Sequence, residues 1–342
     1  MGFVINDTHN FIKKLSWSKA RNASRIYSSF YRSRFTGNPV ISGLPISIAI
    51  EPTTSCNLRC PECPSGLRSF SRPTGMLQDD LFKNVINQLE NTLTYLIFYF
   101  QGEPYLHPQF LNLVEYSTRK KIYTATSTNA HYLSDENARA TVESGLDRLI
   151  ISVDGTTQET FESYRIGGQL TKVIQGAENV IRWKRTLKSK TPHVVFQFLV
   201  VKPNEHQIPD VMTLAKRIGV DDVYLKTAQI YDYKNGSPLI PTQSKYSRYE
   251  LMNDGSYKIK NDLLNECWKM WHSCVVTWDG KVVPCCFDKD AHHVLGDLKN
   301  DSFNSIWNGE KYQHFRKSLL KSRSEIEICK NCTEGTKVWA SY

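Results

Sequence analysis

The chain predicts an α/β fold: a partial (β/α)6 TIM-type barrel over residues 46–230, followed by a small α+β domain over 231–342. Three observations carry this expectation. Six β-rich runs alternate with helical patterns between Ile46 and Gln229, and such alternation implies parallel strands joined by βαβ crossovers. Beyond Gln229 the alternation gives way to loops such as Lys234-Asn-Gly-Ser-Pro238. The nine cysteines fall into two groups, three from Cys56 to Cys63 and six from Cys267 to Cys332, with none in the 203 residues between.

Residues 1–45 precede the first strand. From Thr8 to Ile50 there is no Asp or Glu, while Lys13, Lys14, Lys19, Arg21, Arg25, Arg32 and Arg34 supply positive charge. Ile12, Leu15, Ala23, Ile26, Tyr27, Phe30 and Tyr31 recur at helical spacing, so the arm reads as one basic amphipathic helix. It would pack on the barrel with a solvated basic face, or dock an acidic electron carrier, an acidic substrate or an anionic membrane surface.

The strands are expected at 46–51, 95–101, 122–128, 148–154, 193–201 and 222–229. The helices are expected at 79–90, 108–120, 134–144, 170–188 and 206–218. Six repeats fall short of a closed eight-fold barrel and give an open one, whose site belongs at the C-terminal ends of the strands. The region after 230 has few long apolar segments, so metal is expected to organise it.

At 342 residues, 40% hydrophobic and 23% charged, the composition is that of an ordinary globular protein of about two domains. No run approaches the roughly 18–20 apolar residues of a membrane span. No apolar signal segment follows Met1, so a cytoplasmic location is expected. The net charge of +9 comes without a recognised nucleic-acid fold, and a nucleic-acid partner is not expected. Grouped cysteines in such a protein point to metal rather than disulfides.

In Cys56-Asn-Leu-Arg-Cys60-Pro-Glu-Cys63, three and two residues separate successive thiols. Three thiolates can converge on an iron–sulfur cluster and leave its fourth iron without a protein ligand. A cluster with a free coordination site can bind and reduce a substrate or cofactor as well as pass electrons.

These residues, with Gln101-Gly102-Glu103-Pro104, Ser127-Thr128-Asn129 and Ile151-Ser152-Val153-Asp154-Gly155 ending later strands, resemble radical S-adenosylmethionine (SAM) enzymes. The resemblance implies a [4Fe–4S] cluster on Cys56, Cys60 and Cys63, with SAM on the open iron and reductive cleavage to a 5′-deoxyadenosyl radical. Gly102 and Glu103 match the motif that receives the SAM amino group, although Gln101 stands where the family has Gly. Asn129 matches the third-strand terminus near the adenosyl group, with Ala130 replacing Gly. Ser152 and Arg165 match groups that hold the carboxylate or ribose. Asp154 either binds ribose or caps the next helix. Glu62 occupies a position that is usually apolar.

The C-terminal region resembles the SPASM/twitch group of auxiliary-cluster domains. Cys267 is followed after twelve residues by Gly280 and after four more by Cys285, and Cys329 and Cys332 supply a C-x2-C pair. The resemblance implies one auxiliary [4Fe–4S] cluster on Cys267, Cys285, Cys329 and Cys332, with Cys286 as an alternative to Cys285 and zinc as an alternative metal. Cys274 and Cys286 read as buried small hydrophobes, a hydrogen-atom donor or an extra ligand. Asp288, Asp290, His292 and His293 read as a solvated turn.

The expected function is therefore hydrogen abstraction by a 5′-deoxyadenosyl radical, an oxidation or related modification of a small polar metabolite. The alternative substrate is a peptide or protein side chain. An acidic electron donor such as flavodoxin or ferredoxin is the implied partner. A reading of another class is a non-enzymatic iron–sulfur carrier or scaffold. Tyr99, His107, Gln197 and Lys226 are candidates for the barrel mouth.

Overall fold

The computed structural model describes residues 2–334; residue 1 and residues 335–342 of the terminal segments considered above lie outside the described residues. The basic arm forms two helices, α1 (Gly2–Lys13) and α2 (Trp17–Thr36), where one was expected. The break has a local cause. The Ser16 side chain accepts the Lys19 N–H and caps α2, an interaction that competes with helix continuation.

The basic residues of this arm divide by role. Lys14 pairs with Asp147 at 2.8 Å and Lys19 donates to the Lys121 carbonyl at 2.6 Å, so both tie the arm to the barrel. Ile26 and Phe30 bury against the body, and Phe30 meets Trp268 and Trp271 edge-on. Lys13, Arg21, Arg25, Arg32 and Arg34 remain exposed.

The barrel follows as β1 (Ser47–Ile50), a short helix α3 (Pro64–Leu67), α4 (Asp79–Leu89), β2 (Tyr95–Ile97), α5 (Phe110–Arg119), β3 (Tyr123–Thr128), α6 (Asp135–Glu143), β4 (Arg148–Ser152), α7 (Gln158–Tyr164), α8 (Leu170–Thr186), β5 (His193–Val200), α9 (Ile208–Ile218) and β6 (Asp222–Thr227). The six strands pair in sequence, all parallel. The inner strands are buried on both faces, as crossover helices require: Ile48, Leu96, Leu149, Ile151, Phe196 and Phe198 have essentially no exposure, whereas the edge strand β6 is partly open, with Tyr224 exposed. Strand β2 is shorter than its apolar run. Residues Tyr99–Gln101 leave the ladder and turn into the barrel mouth.

The C-terminal region contributes more to the sheet than its irregular sequence suggests. After the hairpin β7 (Tyr249–Leu251) and β8 (Tyr257–Ile259) come α10 (Lys269–His272), β9 (Ser273–Val276), β10 (Lys281–Val283), β11 (Gly296–Asp297), α11 (Phe303–Asn308) and α12 (Glu310–Ser322). Strand β9 pairs parallel with β1, Ile48 opposite Cys274, and β10 and β11 extend that edge antiparallel. One nine-stranded sheet in the order β11-β10-β9-β1-β2-β3-β4-β5-β6 thus joins the cysteine-rich region to the barrel. Covering the β1 edge removes a row of unpaired backbone groups.

Candidate active site

Cys56, Cys60 and Cys63 lie in the loop between β1 and α3 and line a cavity of about 240 Å³ at the C-terminal ends of the barrel strands. Three anchors shape the loop. Arg68 donates to the Cys56 carbonyl at 2.9 Å, Arg59 N–H bonds Ile166 O at 3.0 Å, and Arg72 forks onto the buried Glu51 carboxylate at 2.8 and 2.6 Å. Gly66 lets the loop close on itself, since a Cβ there would lie 2.6 Å from the backbone N and O of Cys60.

The sulfurs receive one donor from within the loop motif and one from outside it. Leu58 N–H lies 3.5 Å from Cys56 Sγ, and Arg165 Nη1 lies 3.7 Å from Cys60 Sγ. Burial pushes the Cys56 thiol up to about 11 and raises Cys60 as well. Thiols that stay protonated until a metal displaces the proton, with N–H donors aimed at sulfur, suit a cluster, whose properties depend on such bonds.

Glu103 is fully enclosed. Its Oε1 accepts from Thr128 Oγ1 at 2.7 Å and Tyr105 N at 3.2 Å, and its Oε2 accepts from Asn129 N at 2.7 Å. Burial still dominates and raises its carboxyl to about 7. Gly102 makes this placement possible: φ is +76°, and a Cβ would stand 2.1 Å from Thr53 O. No other residue fits there. The Gly102 N–H bonds Ser65 Oγ at 2.9 Å, and Gln101 Oε1 sits 3.9 Å from Cys63 Sγ. Gln101 therefore reaches the thiols themselves.

Asn129 lines the same cavity and spans to the loop, Nδ2 donating to Asn57 Oδ1 at 2.7 Å. Ala130 takes φ +63°, which explains why glycine is favoured at that position. Ser152, Arg165 and Gln197 complete the wall. Asp154 does not. It is fully buried, one oxygen on Arg165 Nε and the other accepting Leu199 N at 2.7 Å, while Thr157 caps α7. Neither expectation for Asp154, ribose contact or helix cap, matches this geometry; it orients Arg165. Tyr99, Gln197 and Lys226 line the mouth as expected, whereas His107 is buried with Nε2 on Leu77 O at 2.8 Å.

Cys267, Cys285, Cys329 and Cys332 line one small cavity of about 20 Å³. Cys286 is not among its lining residues: it accepts from Lys269 Nζ at 3.6 Å and faces a different cavity. Arg323 is buried beside the four thiols. Its Nη2 lies 3.4 Å from Cys332 Sγ, and its Nε has no hydrogen-bond partner. A buried guanidinium with an orphaned donor among four thiols fits an anionic cluster. Among the described residues no three His, Cys, Asp or Glu side chains close around a single metal ion. Cys274 is buried in β9. Asp288 is buried too and accepts the His292 and His293 N–H groups at 2.8 and 2.9 Å, so the turn is anchored more than solvated.

Between the two thiol groups lies a cavity of about 460 Å³. It shares Tyr99, Gln101 and Lys226 with the first cavity and Lys269, Cys285 and Glu334 with the second. Glu62 closes its side, Oε2 accepting Tyr231 N at 2.9 Å. Arg323, the reach of Gln101 to Cys63 and the Glu62–Tyr231 contact lie outside the sequence expectations. An arginine six residues before a C-x2-C pair was the one available signal.

Known proteins agree with this geometry. The radical SAM superfamily profile matches residues 50–215, and the SPASM profile, an iron–sulfur cluster-binding domain, matches residues 267–333. The chain belongs to the radical SAM superfamily. This radical SAM enzyme uses SAM, a [4Fe–4S] cluster that binds it, and auxiliary iron–sulfur chemistry in its SPASM region. It is 24% identical over 325 residues to the tungsten-containing aldehyde ferredoxin oxidoreductase cofactor-modifying protein of Pyrococcus furiosus, covering 83% of this chain and 86% of that one. To mycofactocin maturase MftC of Mycobacterium tuberculosis it is 25% identical over 311 residues, 84% and 75% of the two chains. Its fold resembles BtrN in complex with AdoMet and 2-DOIA, with a TM-score of 0.56, 19% identity, and 88% and 98% of the chains covered. It also resembles Streptococcus suis SuiB bound to precursor peptide SuiA, with a TM-score of 0.63, 13% identity, and 92% and 75% covered. Among the described residues no helix of this radical SAM enzyme is long and apolar enough to cross a membrane.

Proposed function

We propose that Cys56, Cys60 and Cys63 hold the SAM-binding cluster, that Cys267, Cys285, Cys329 and Cys332 hold a single auxiliary cluster, and that the substrate sits in the cavity between them. The observation that carries this reading is the continuity of the three cavities. Bound together, the cluster and SAM supply a 5′-deoxyadenosyl radical that abstracts hydrogen from an unreactive C–H bond. Glu103 receives the SAM ammonium group, and Thr128 and Asn129 N–H hold that carboxylate in place. Arg165, aligned by Asp154, offers its guanidinium to the SAM carboxylate. Ser152 and Asn129 complete polar contacts with the nucleoside. Tyr99, Tyr164 and Leu199 wall the substrate space and keep water from the reacting carbon.

The substrate is read first as a small polar metabolite, because about 460 Å³ lies within the roughly 300–1,000 Å³ of small-molecule sites. A peptide is the second reading, favoured by relatives named as peptide or maturation enzymes. The exposed Lys13, Arg21, Arg25 and Arg32 face of the N-terminal helices would receive an acidic electron donor such as flavodoxin or ferredoxin, in the cytoplasm. Anaerobic reconstitution with dithionite tests the core: SAM is cleaved to 5′-deoxyadenosine by the wild type and not by the Cys56, Cys60 and Cys63 triple alanine variant. Equal cleavage by both removes the reading.

A further inference from the structure

The walls of the central cavity are cationic. Lys226, Arg248, Lys269 and Lys289 line it against the carboxylates Glu62 and Glu334. The two carboxylates are spoken for: Glu334 acts on Lys269 and Glu62 on Lys289, and these lysines also engage Cys286 Sγ at 3.6 Å and Tyr231 Oη at 2.8 Å. That leaves Lys226 and Arg248. The Lys226 side chain, exposed at the end of β6, makes no hydrogen bond or ion pair with the described residues. Arg248 is 7% exposed; its Nε and Nη2 donate to Thr227 O at 3.1 and 3.0 Å, and its Nη1 has no partner. Arg248 and Lys226 line the same cavity, where desolvation and then the Arg248 charge lower the Lys226 ammonium pKa.

Lys226 is exposed to the cavity, whereas Arg248 is a buried guanidinium whose idle N–H2 is costly to leave without an acceptor. A bound anion removes that cost, since a carboxylate or phosphate oxygen accepts from Arg Nη1 while Lys226 adds a second positive charge at the same wall. We infer that the central cavity binds its substrate through an anionic group seated on Lys226 and Arg248. The substrate is thereby specified as a carboxylated or phosphorylated compound. This rests on the placement of the substrate between the two thiol groups, and its test is separable from the test of SAM cleavage.

Reconstituted holoenzyme preloaded with SAM is titrated anaerobically with succinate, inorganic phosphate and uncharged succinamide, with binding read by isothermal titration calorimetry. Succinate or phosphate should bind at least about tenfold more tightly than succinamide, and Lys226→Met should lose about tenfold of that binding while Lys226→Arg keeps it. Arg248→Gln should lose as much. Because that variant also alters the Thr227 anchor, the lysine pair of variants decides the case. Preference for succinate identifies a carboxylate substrate, and preference for phosphate a phosphorylated one; either supports the inference. Equal binding of succinamide, or wild-type binding by Lys226→Met, overturns it. If the same preparation cleaves SAM yet shows no anion preference, the anion site fails and the enzyme reading stands.

Discussion

Cys56, Cys60 and Cys63 occupy eight consecutive residues and open onto a cavity of about 240 Å³, whereas Cys267, Cys285, Cys329 and Cys332 come from a span of 66 residues and line one of about 20 Å³. Around the first group stand groups able to hold a second molecule: Glu103, Asn129, Ser152 and Arg165. Around the second stand Met270, Phe315, Leu319 and Ile328, with Arg323 as the counter-charge. The difference separates a site made for exchange of ligands from one made for retention. Under the proposed function, chemistry falls to the open group and electron uptake or anchoring to the enclosed one.

The contrast breaks if both groups serve the same step. Cys60→Ala should abolish SAM cleavage, while Cys329→Ala should lose roughly half the iron, one of two four-iron clusters, and still form 5′-deoxyadenosine; iron assay and chromatography read the two outcomes. If Cys329→Ala also stops cleavage, retention and chemistry are not separate. Glu103→Gln should weaken SAM binding about 10- to 100-fold, the worth of a charged hydrogen bond. The pH dependence sharpens this. Because burial raises Glu103 to about 7, the carboxylate that pairs with ammonium is lost as pH falls through that value, so wild-type affinity should drop below pH 7 and the Gln variant stay flat in calorimetric titrations. On the enclosed side, Arg323→Gln should loosen the auxiliary cluster about 10- to 100-fold towards chelators, as outer-shell changes do.

Cys285→Ala should lower auxiliary iron and Cys286→Ala should not, measured by Mössbauer spectroscopy on enriched iron; the reverse result would move the ligand by one residue. The smallest effect concerns fold stability. Burial and Lys269 push His272 down to about 4 from an ordinary 6.5. The unfolded chain therefore takes up a proton that the folded one refuses, and stability is lost as pH falls from about 6.5 to 4, by on the order of 2–3 kcal/mol. His272→Gln should flatten denaturant midpoints across that window.

The legibility of each region follows its range of interaction. Each of the six barrel strands begins within one residue of where the alternation places it, because βαβ repeats are encoded by neighbours along the chain. The triplet loop, Gly102-Glu103 and the end of β3 were legible for the same reason. Strand β9 was not: Ser273-Cys274-Val275-Val276 is four residues long, and what makes it a strand is the open β1 edge more than 200 residues earlier. Ser16 was passed over as part of a longer apolar pattern, although its capping chemistry was in view.

By itself the sequence determined the type of chemistry. Thiols at fixed short spacing choose a cluster, and a glycine before a buried carboxylate gives a backbone that only glycine adopts. The tertiary structure decided that Cys285 and not Cys286 lines the cavity of the second group, that Asp154 bonds Arg165, that Arg323 is buried beside those thiols, and that Arg248 keeps an unpartnered N–H2 in the cavity it shares with Lys226. Those facts depend on burial and on charges brought together from distant segments. A buried donor needs a partner, and the one that Arg248 Nη1 lacks among the described residues is what the proposed anionic substrate would supply.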